Sequence, residues 1–425
     1  MKYRLATAIF LYCTMASAAG QVTLDQVLDQ VQVVAPEQRV KALIAREAIL
    51  QSDALGTRKL PAIAFSTQAT YQSDVTSLPL DLPGMDIPSV PHLQFKVQAE
   101  LQQSVYDGGT TTVLQEGARN AAALADADAD MQFEWVREQA IRLFFGLIEL
   151  QSARNILSHK EQRLSAQRAT LQSRVEQGVV LASELHTLDA ALLELGKEQT
   201  SLETQAATLR DQLGLLTGTP AYDSTTVFEM PAEPARFQAV SDELPTYRIL
   251  AGQHEGIAID LARQEAAARP RVDLFGQFGL GQPGLNVLDD ELSGLYILGL
   301  RARLPLSRLY TRRKEVEIAR IASEKVNAAR TAFNRQLDMQ IMTYTHEIEM
   351  YDRHIASNIE LLGHREQITR TAQVQLDNGA INSADYISVL NEENTAREQL
   401  ALSRVRKCMT QHLLNHVTGY HLKNE

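Results

Sequence analysis

Apolar positions in this chain recur with two periods, and the periods mark two kinds of element. From Leu93 to Val105, Leu93, Phe95, Val97, Ala99, Leu101 and Val105 alternate with Gln94, Lys96, Gln98, Glu100, Gln102 and Ser104. Period two predicts a strand, over about 93–106, with one apolar and one wet face. A partner is expected over about 61–72, where Ile63, Phe65 and Tyr71 oppose Ser66, Gln68 and Thr70. Two more are expected over about 270–280 (Val272, Leu274, Phe278) and 294–306 (Tyr296, Leu298, Leu300, Leu304 against Arg301 and Arg303). Pro61 and Pro270 stand at matching strand starts, where proline is tolerated.

Elsewhere the spacing alternates four and three. Leu143, Leu150, Leu157, Leu164 and Leu171 fall every seventh residue, and Leu181, Leu185, Leu188, Leu192, Leu195 and Leu202 continue the pattern. Leu337, Ile341, Tyr344, Ile348, Tyr351, Ile355 and Leu362 repeat it. Such seams predict antiparallel coiled-coil helices over about 110–177, 181–216, 310–378 and 382–418. The longest would reach on the order of 100 Å. Asp126, Asp128 and Asp130 on the first long helix read as a solvated surface.

The two kinds of element occur twice in the same order. Gly178 and Gly379 stand 201 residues apart, as do Thr217-Gly218 and Thr418-Gly419, and Glu184 and Asp385. An internal duplication follows, with repeats at 19–218 and 219–425 and a linker at about 217–243 carrying Pro220, Pro231 and Pro234. The fold class is mainly α with a small β part: long antiparallel helices plus four strands contributed to an oligomeric transmembrane barrel. Such strands cannot sit alone in lipid, because their edges would leave backbone groups unpaired in hydrocarbon.

Composition narrows the class. Residues 1–18 start with Lys2 and Arg4, continue with an apolar stretch from Leu5 to Met15 and end in Ala16-Ser17-Ala18, which predicts a cleaved secretory signal. Cys13, inside it, follows bulky Tyr12 and makes a poor lipid-attachment site. No later stretch approaches the run of about eighteen apolar residues of a membrane helix. A balance of 41 basic against 52 acidic residues, net −11, argues against a nucleic-acid partner. Pro79, Pro83, Pro88 and Pro91 predict a long external loop between the first two strands. Gly276, Gly279, Gly281 and Gly284 lack the lysine or ribose-binding acid of a nucleotide loop and read as a glycine-rich strand end. No nucleophile elbow, metalloprotease helix or Walker loop is present, so no enzyme and no cofactor is expected.

The element order, Tyr106-Asp107-Gly108-Gly109 at the strand-to-helix junction and the glycine turns together resemble the TolC-like outer-membrane efflux protein family over nearly the whole chain after the signal. The resemblance implies a homo-trimer in outer-membrane lipid, with a helical tunnel projecting into the periplasm. It implies a passive exit duct of a tripartite efflux or type I secretion system, docking to a periplasmic adaptor and thereby to an inner-membrane pump or ABC transporter. It also implies that the 217–243 segment belts the tunnel. The alternative is a periplasmic coiled-coil structural or adaptor protein without a pore, which leaves the apolar strand faces unexplained. Two departures stand out. The second junction, Leu306-Ser307-Arg308-Leu309, lacks the Asp-Gly pair, and Ile381 replaces an arginine that locks the tip in some relatives.

Within that frame Asp385, with Asp377 as a weaker second, is the candidate pore constriction, where copies around an axis would favour cations. Asp385 equally suits a helix start, completing a capping box with Asn382. Gly178, Val179 and Val180, with Gly379, Ala380 and Ile381, are the candidate adaptor-docking tips, or plain turns in which glycine takes the left-handed conformation. Cys408, His412 and His416 share one helical face and could ligate a metal, although three side chains stacked over two turns rarely converge on one ion.

Overall fold

A computed structural model describes residues 21–76, 90–220, 222–234, 239–287 and 291–423. The expected signal with Cys13, and Pro79, Pro83 and Pro88 of the expected loop, lie outside the described residues. In chain order the elements are β1 (Gln21–Val22), α1 (Leu24–Val34), α2 (Pro36–Gly56), β2 (Ala62–Tyr71), β3 (Leu93–Tyr106), α3 (Thr110–Glu176), α4 (Ala182–Thr217), β4 (Val227–Phe228), α5 (Pro245–Ala268), β5 (Arg271–Gln282), β6 (Ser293–Arg303), α6 (Arg312–Asp377) and α7 (Ser383–Val417). Short 3-10 turns lie at Leu306–Tyr310 and His421–Lys423. No helix among the described residues is long and apolar enough to cross a membrane.

The elements fall into two compact units. One is built from the described residues of Met1–Gln38, Met131–Leu244 and Asn334–Glu425, the other from Arg39–Asp130 and Pro245–Phe333. Both draw on the two halves of the chain: β3 pairs with β5 in the second unit, and α4 packs with α7 in the first.

The second unit carries an antiparallel sheet in the order β2-β3-β5-β6, with β2 and β6 at its edges. Register places Ile63 beside Leu101, Leu101 beside Gly276 and Gly276 beside Leu298, so one face is continuous across all four strands. That face is apolar and bare: Phe65, Tyr71, Tyr296 and Leu300 are each at least 70% exposed. On the opposite face Ser66 donates to Glu100 at 3.4 Å, Gln98 contacts the same carboxylate, and the Arg301 guanidinium lies 5.0 Å from the Phe275 ring centre. This face is not wholly polar, since Leu295 and Ile297 project from it in β6 and Leu295 is buried. The last strand also ends earlier than its alternation predicts, at Arg303, because Pro305 lacks the N–H a ladder needs; the 3-10 turn follows and α6 starts at Arg312.

The α5 helix is tied to α3 by charge. Arg248 donates to Asp126 at 2.7 Å and to Asp130 at 2.5 Å, and Lys41 of α2 reaches Asp130 at 2.7 Å. The expectation of a merely solvated aspartate run is therefore corrected. Residues four apart share a helical face, so Asp126 and Asp130 make a two-carboxylate clamp.

In the first unit the main core gathers on the middle of α3. Phe144 and Phe145 are fully buried, and Phe228 of β4 meets Phe144 edge-on at 5.7 Å. Val27 and Val31 of α1 and Leu213 of α4 complete it. Thr23 starts α1 with a reciprocal capping box to Gln26, and β1 pairs in parallel with β4. A second cluster joins Leu164 and Leu171 of α3, Leu188 of α4, Ala372 and Leu376 of α6, and Tyr386 and Leu390 of α7. The heptad positions of α3 thus form a true seam. On α6 only Leu337 of the predicted stripe is fully buried, and Met339, Met342, Ile359, Ile368 and Val374 stay exposed.

Candidate functional site

The helix turns of the first unit bring together most of the residues that the sequence singles out. At both, the long helix ends in the same hydrogen-bonded stop. Val179 N–H donates to the Arg174 carbonyl at 3.0 Å and Gly178 N–H to Val175 at 2.9 Å; Ala380 N–H donates to Gln375 at 2.8 Å and Gly379 N–H to Leu376 at 3.0 Å. These paired bonds form Schellman motifs, which require a left-handed residue, and Gly178 and Gly379 supply it at φ 76° and 73°. A Cβ on either glycine would touch nothing within 4 Å, so backbone conformation alone selects glycine. Val179 is 72% exposed, whereas Val180 and Ile381 turn inward onto the second cluster. Gly178, Val179, Gly379 and Ala380 thus present a small, exposed surface.

The turns are locked to each other by contacts that no local pattern in the sequence marks. Arg174 Nη2 donates to the Asp377 carbonyl at 2.6 Å, so a cation from α3 caps the C-terminus of α6. The Glu184 carboxylate accepts the Ser383 N–H at 2.6 Å, placing an anion from α4 on the N-terminus of α7. The matched offset of Glu184 and Asp385 was the available hint, but the partner of Glu184 lies 199 residues away.

The two candidate constriction residues differ in environment. Asp377 is half-buried and held by Gln373, 3.2 Å from Oδ2, and by Gln167, 3.5 Å from Oδ1. Asp385 is exposed and beside a groove of about 380 Å³ lined by Gln367, Ile368, Thr371 and Val389. Asn382 caps α7 by accepting the Asp385 N–H at 2.8 Å. The return contact that would complete a capping box is not among the cap's bonds, so the Asp385 carboxylate stays free of the cap. Deeper in the same cluster Glu393, with a side chain 5% exposed, accepts from Arg163 at 2.8 Å and Arg397 at 3.0 Å. Burial pushes its carboxyl up, but bonds from Arg163, Thr369 and Arg397 outweigh burial and leave it below the ordinary value.

Cys408, His412 and His416 do not converge. Burial pushes the Cys408 thiol up to about 11, and its sulfur lies 3.6 Å from the Pro231 carbonyl. The His412 ring lies against Phe145, and burial lowers its pKa. His416 turns instead towards Glu134 and His421; burial holds it down at about 4, against the pull of the Glu134 carboxylate.

At the start of α3 Asp107 takes the Gly109 and Thr111 N–H groups at 2.9 and 2.7 Å. The aspartate of the Tyr-Asp-Gly-Gly junction is therefore a helix cap, and Gly108 and Gly109, at φ 72° and 87°, let the chain turn from strand to helix beside it.

No family model matches the chain, and no curated protein matches it by sequence. Solved structures do. The outer membrane protein VceC of Vibrio cholerae superposes with a TM-score of 0.70 at 14% identity, covering 93% of this chain and 96% of that one. The CmeC outer membrane channel of Campylobacter jejuni gives 0.68 at 14% identity, covering 93% and 85%. The open-state MtrE outer membrane channel of Neisseria gonorrhoeae gives 0.66 at 14% identity, covering 93% and 88%. The fold is that of the TolC-like outer-membrane channels. This chain has a four-stranded sheet, glycine turns at Gly178 and Gly379, and Ile381 after the second turn.

Proposed function

We propose that the protein is a passive outer-membrane channel, an exit duct that assembles as a trimer and docks through its helix turns onto a periplasmic adaptor serving a pump or ABC transporter. The observation that carries this reading is the sheet. Its apolar face is bare and continuous across four strands, and among the described residues nothing pairs with either of its edges. A bilayer solvates such a face, and copies of the same sheet satisfy the edges. The exposed apolar side chains of α6 favour the same conclusion, since lateral contact between copies would cover them. The tunnel formed by the helices then projects into the periplasm. Energy for transport comes from the partner, and the duct itself carries out no reaction. Gly178, Val179, Gly379 and Ala380 form the docking surface, with Val180 and Ile381 holding it from beneath.

Asp385 is the constriction residue in this reading and Asp377 is secondary, because the Asp385 carboxylate is exposed whereas that of Asp377 is engaged by two glutamines. Single-channel recording in a planar bilayer tests both proposals. Wild type is expected to give discrete, cation-selective steps, and Asp385→Ala to keep the steps while losing selectivity. Steps unchanged by the substitution would leave the channel and reduce Asp385 to a helix-start residue. A protein that stays soluble without detergent and never conducts would sink the channel and favour the pore-free periplasmic reading.

A further inference from the structure

We propose that Glu134, His416 and His421 form a binding site for one zinc-class divalent cation, which fastens the C-terminal turn to α3. The three side chains reach one point from three elements. Glu134 lies on α3, His416 near the end of α7, and His421 on the 3-10 turn that follows. Glu134 Oε2 lies 3.3 Å from His416 Nδ1 and 3.1 Å from His421 Nε2. One donor atom from each residue falls within 4.8 Å of the other two. A tetrahedral ion with bonds of about 2.0–2.1 Å holds its ligand atoms about 3.3 Å apart, so the two shorter separations already suit one.

The local backbone accounts for the convergence. Gly419, at φ 67°, ends α7 in a third Schellman turn, with Gly419 N–H donating to the His416 carbonyl and Tyr420 N–H to Asn415, each at 3.0 Å. The chain reverses there and lays the His421 ring over His416 at 5.3 Å. The side chains are 18%, 10% and 15% exposed for Glu134, His416 and His421. Glu134 Oε2 and His416 Nδ1 are buried and accept or donate no well-aligned hydrogen bond, although they face each other. Buried polar atoms left in that state are costly, and a cation shared between them removes the cost.

The donor set selects the class of ion. Two imidazole nitrogens and a carboxylate suit zinc and its transition-metal neighbours, with a fourth position left for water. Calcium and magnesium want six or more oxygen ligands, which this site does not offer. Arg137 and Glu138, on the next turn of α3, act on His416 with opposite charges, and Arg137 also acts on the Glu134 carboxylate. The inference makes no use of the channel reading, and either can fail alone.

The test uses the full chain, purified in detergent without a polyhistidine tag and stripped with a chelator. Titration calorimetry with zinc sulfate is expected to show one ion per chain, and cobalt(II) is expected to give the visible absorption of a tetrahedral site. Glu134→Gln and His421→Ala should each weaken binding at least about tenfold. His412→Ala, outside the cluster, should leave binding intact. Zinc should also raise the thermal midpoint of wild type and of His412→Ala but not of His421→Ala, a comparison that does not depend on the cobalt signal. Absence of stoichiometric binding to wild type, or wild-type affinity retained in both Glu134→Gln and His421→Ala, would overturn the proposal.

Discussion

The two helix turns share a backbone and differ in everything that secures it. Both long helices stop in the same Schellman motif, at Gly178 and at Gly379. After the first, Leu181 takes the N-cap position of α4 without a side-chain bond; after the second, Asn382 caps α7. Where α4 carries the half-buried Leu185, α7 carries Tyr386, which is completely buried. Where α4 has Leu192, α7 has Glu393 between two arginines. The geometry of a turn is thus fixed by a glycine and a few backbone bonds, while its stability is set by the residues that follow. The second turn is the better anchored, and part of that anchoring is supplied by the first through Arg174 and Glu184.

That asymmetry can be broken by substitution. Tyr386→Ala should have the largest effect, about 3–5 kcal/mol for removing a fully buried aromatic side chain. Leu185→Ala should cost less than half as much, because Leu185 keeps part of its surface in water. Thermal unfolding of both variants in detergent checks the order, and equal shifts would erase the distinction.

Acid should act on the second turn first. The Glu393 carboxyl sits below its ordinary value of 4.5, so its contribution is fully present above about pH 4.5 and is lost as pH falls through the lowered folded value. Loosening near Glu393 below that pH, read by hydrogen exchange, should precede loosening near Leu192. Glu393→Leu should abolish the difference and itself cost about 1–3 kcal/mol, less than for a wholly buried pair because Arg163 and Arg397 keep about a third of their exposure. The smallest effects belong to the caps. Asn382→Ala should cost about 1 kcal/mol, and Leu181→Asn should stabilise by a similar amount, narrowing the gap from the other side.

Local signals were legible in the sequence and pairings between distant segments were not. The alternation from Leu93 is where β3 begins, and the glycines at 178 and 379 stand where the helices stop. Both follow from interactions within a few residues. By contrast, the Arg174 contact with Asp377 and the Glu184 contact with Ser383 join residues about 200 positions apart, which no local period encodes. The Asp126–Asp130 clamp lay in between: its i, i+4 spacing was visible, but its partner Arg248 was not. Cys408, His412 and His416 show the converse case. A shared helical face is necessary for a site but does not make one, and the chain reversal at Gly419 gives His416 a different set of neighbours.

The unpaired borders of the four-stranded sheet have a consequence for how copies come together. In the assembly proposed above, each chain would be a unit with two open sheet edges, β2 on one side and β6 on the other. Joining a second copy consumes one end of each and leaves the product as reactive as before. In that proposed assembly, addition would have no natural terminus except cyclisation, and the twist of the sheet, which fixes how far each addition turns, would set the number of copies at which the growing arc meets itself.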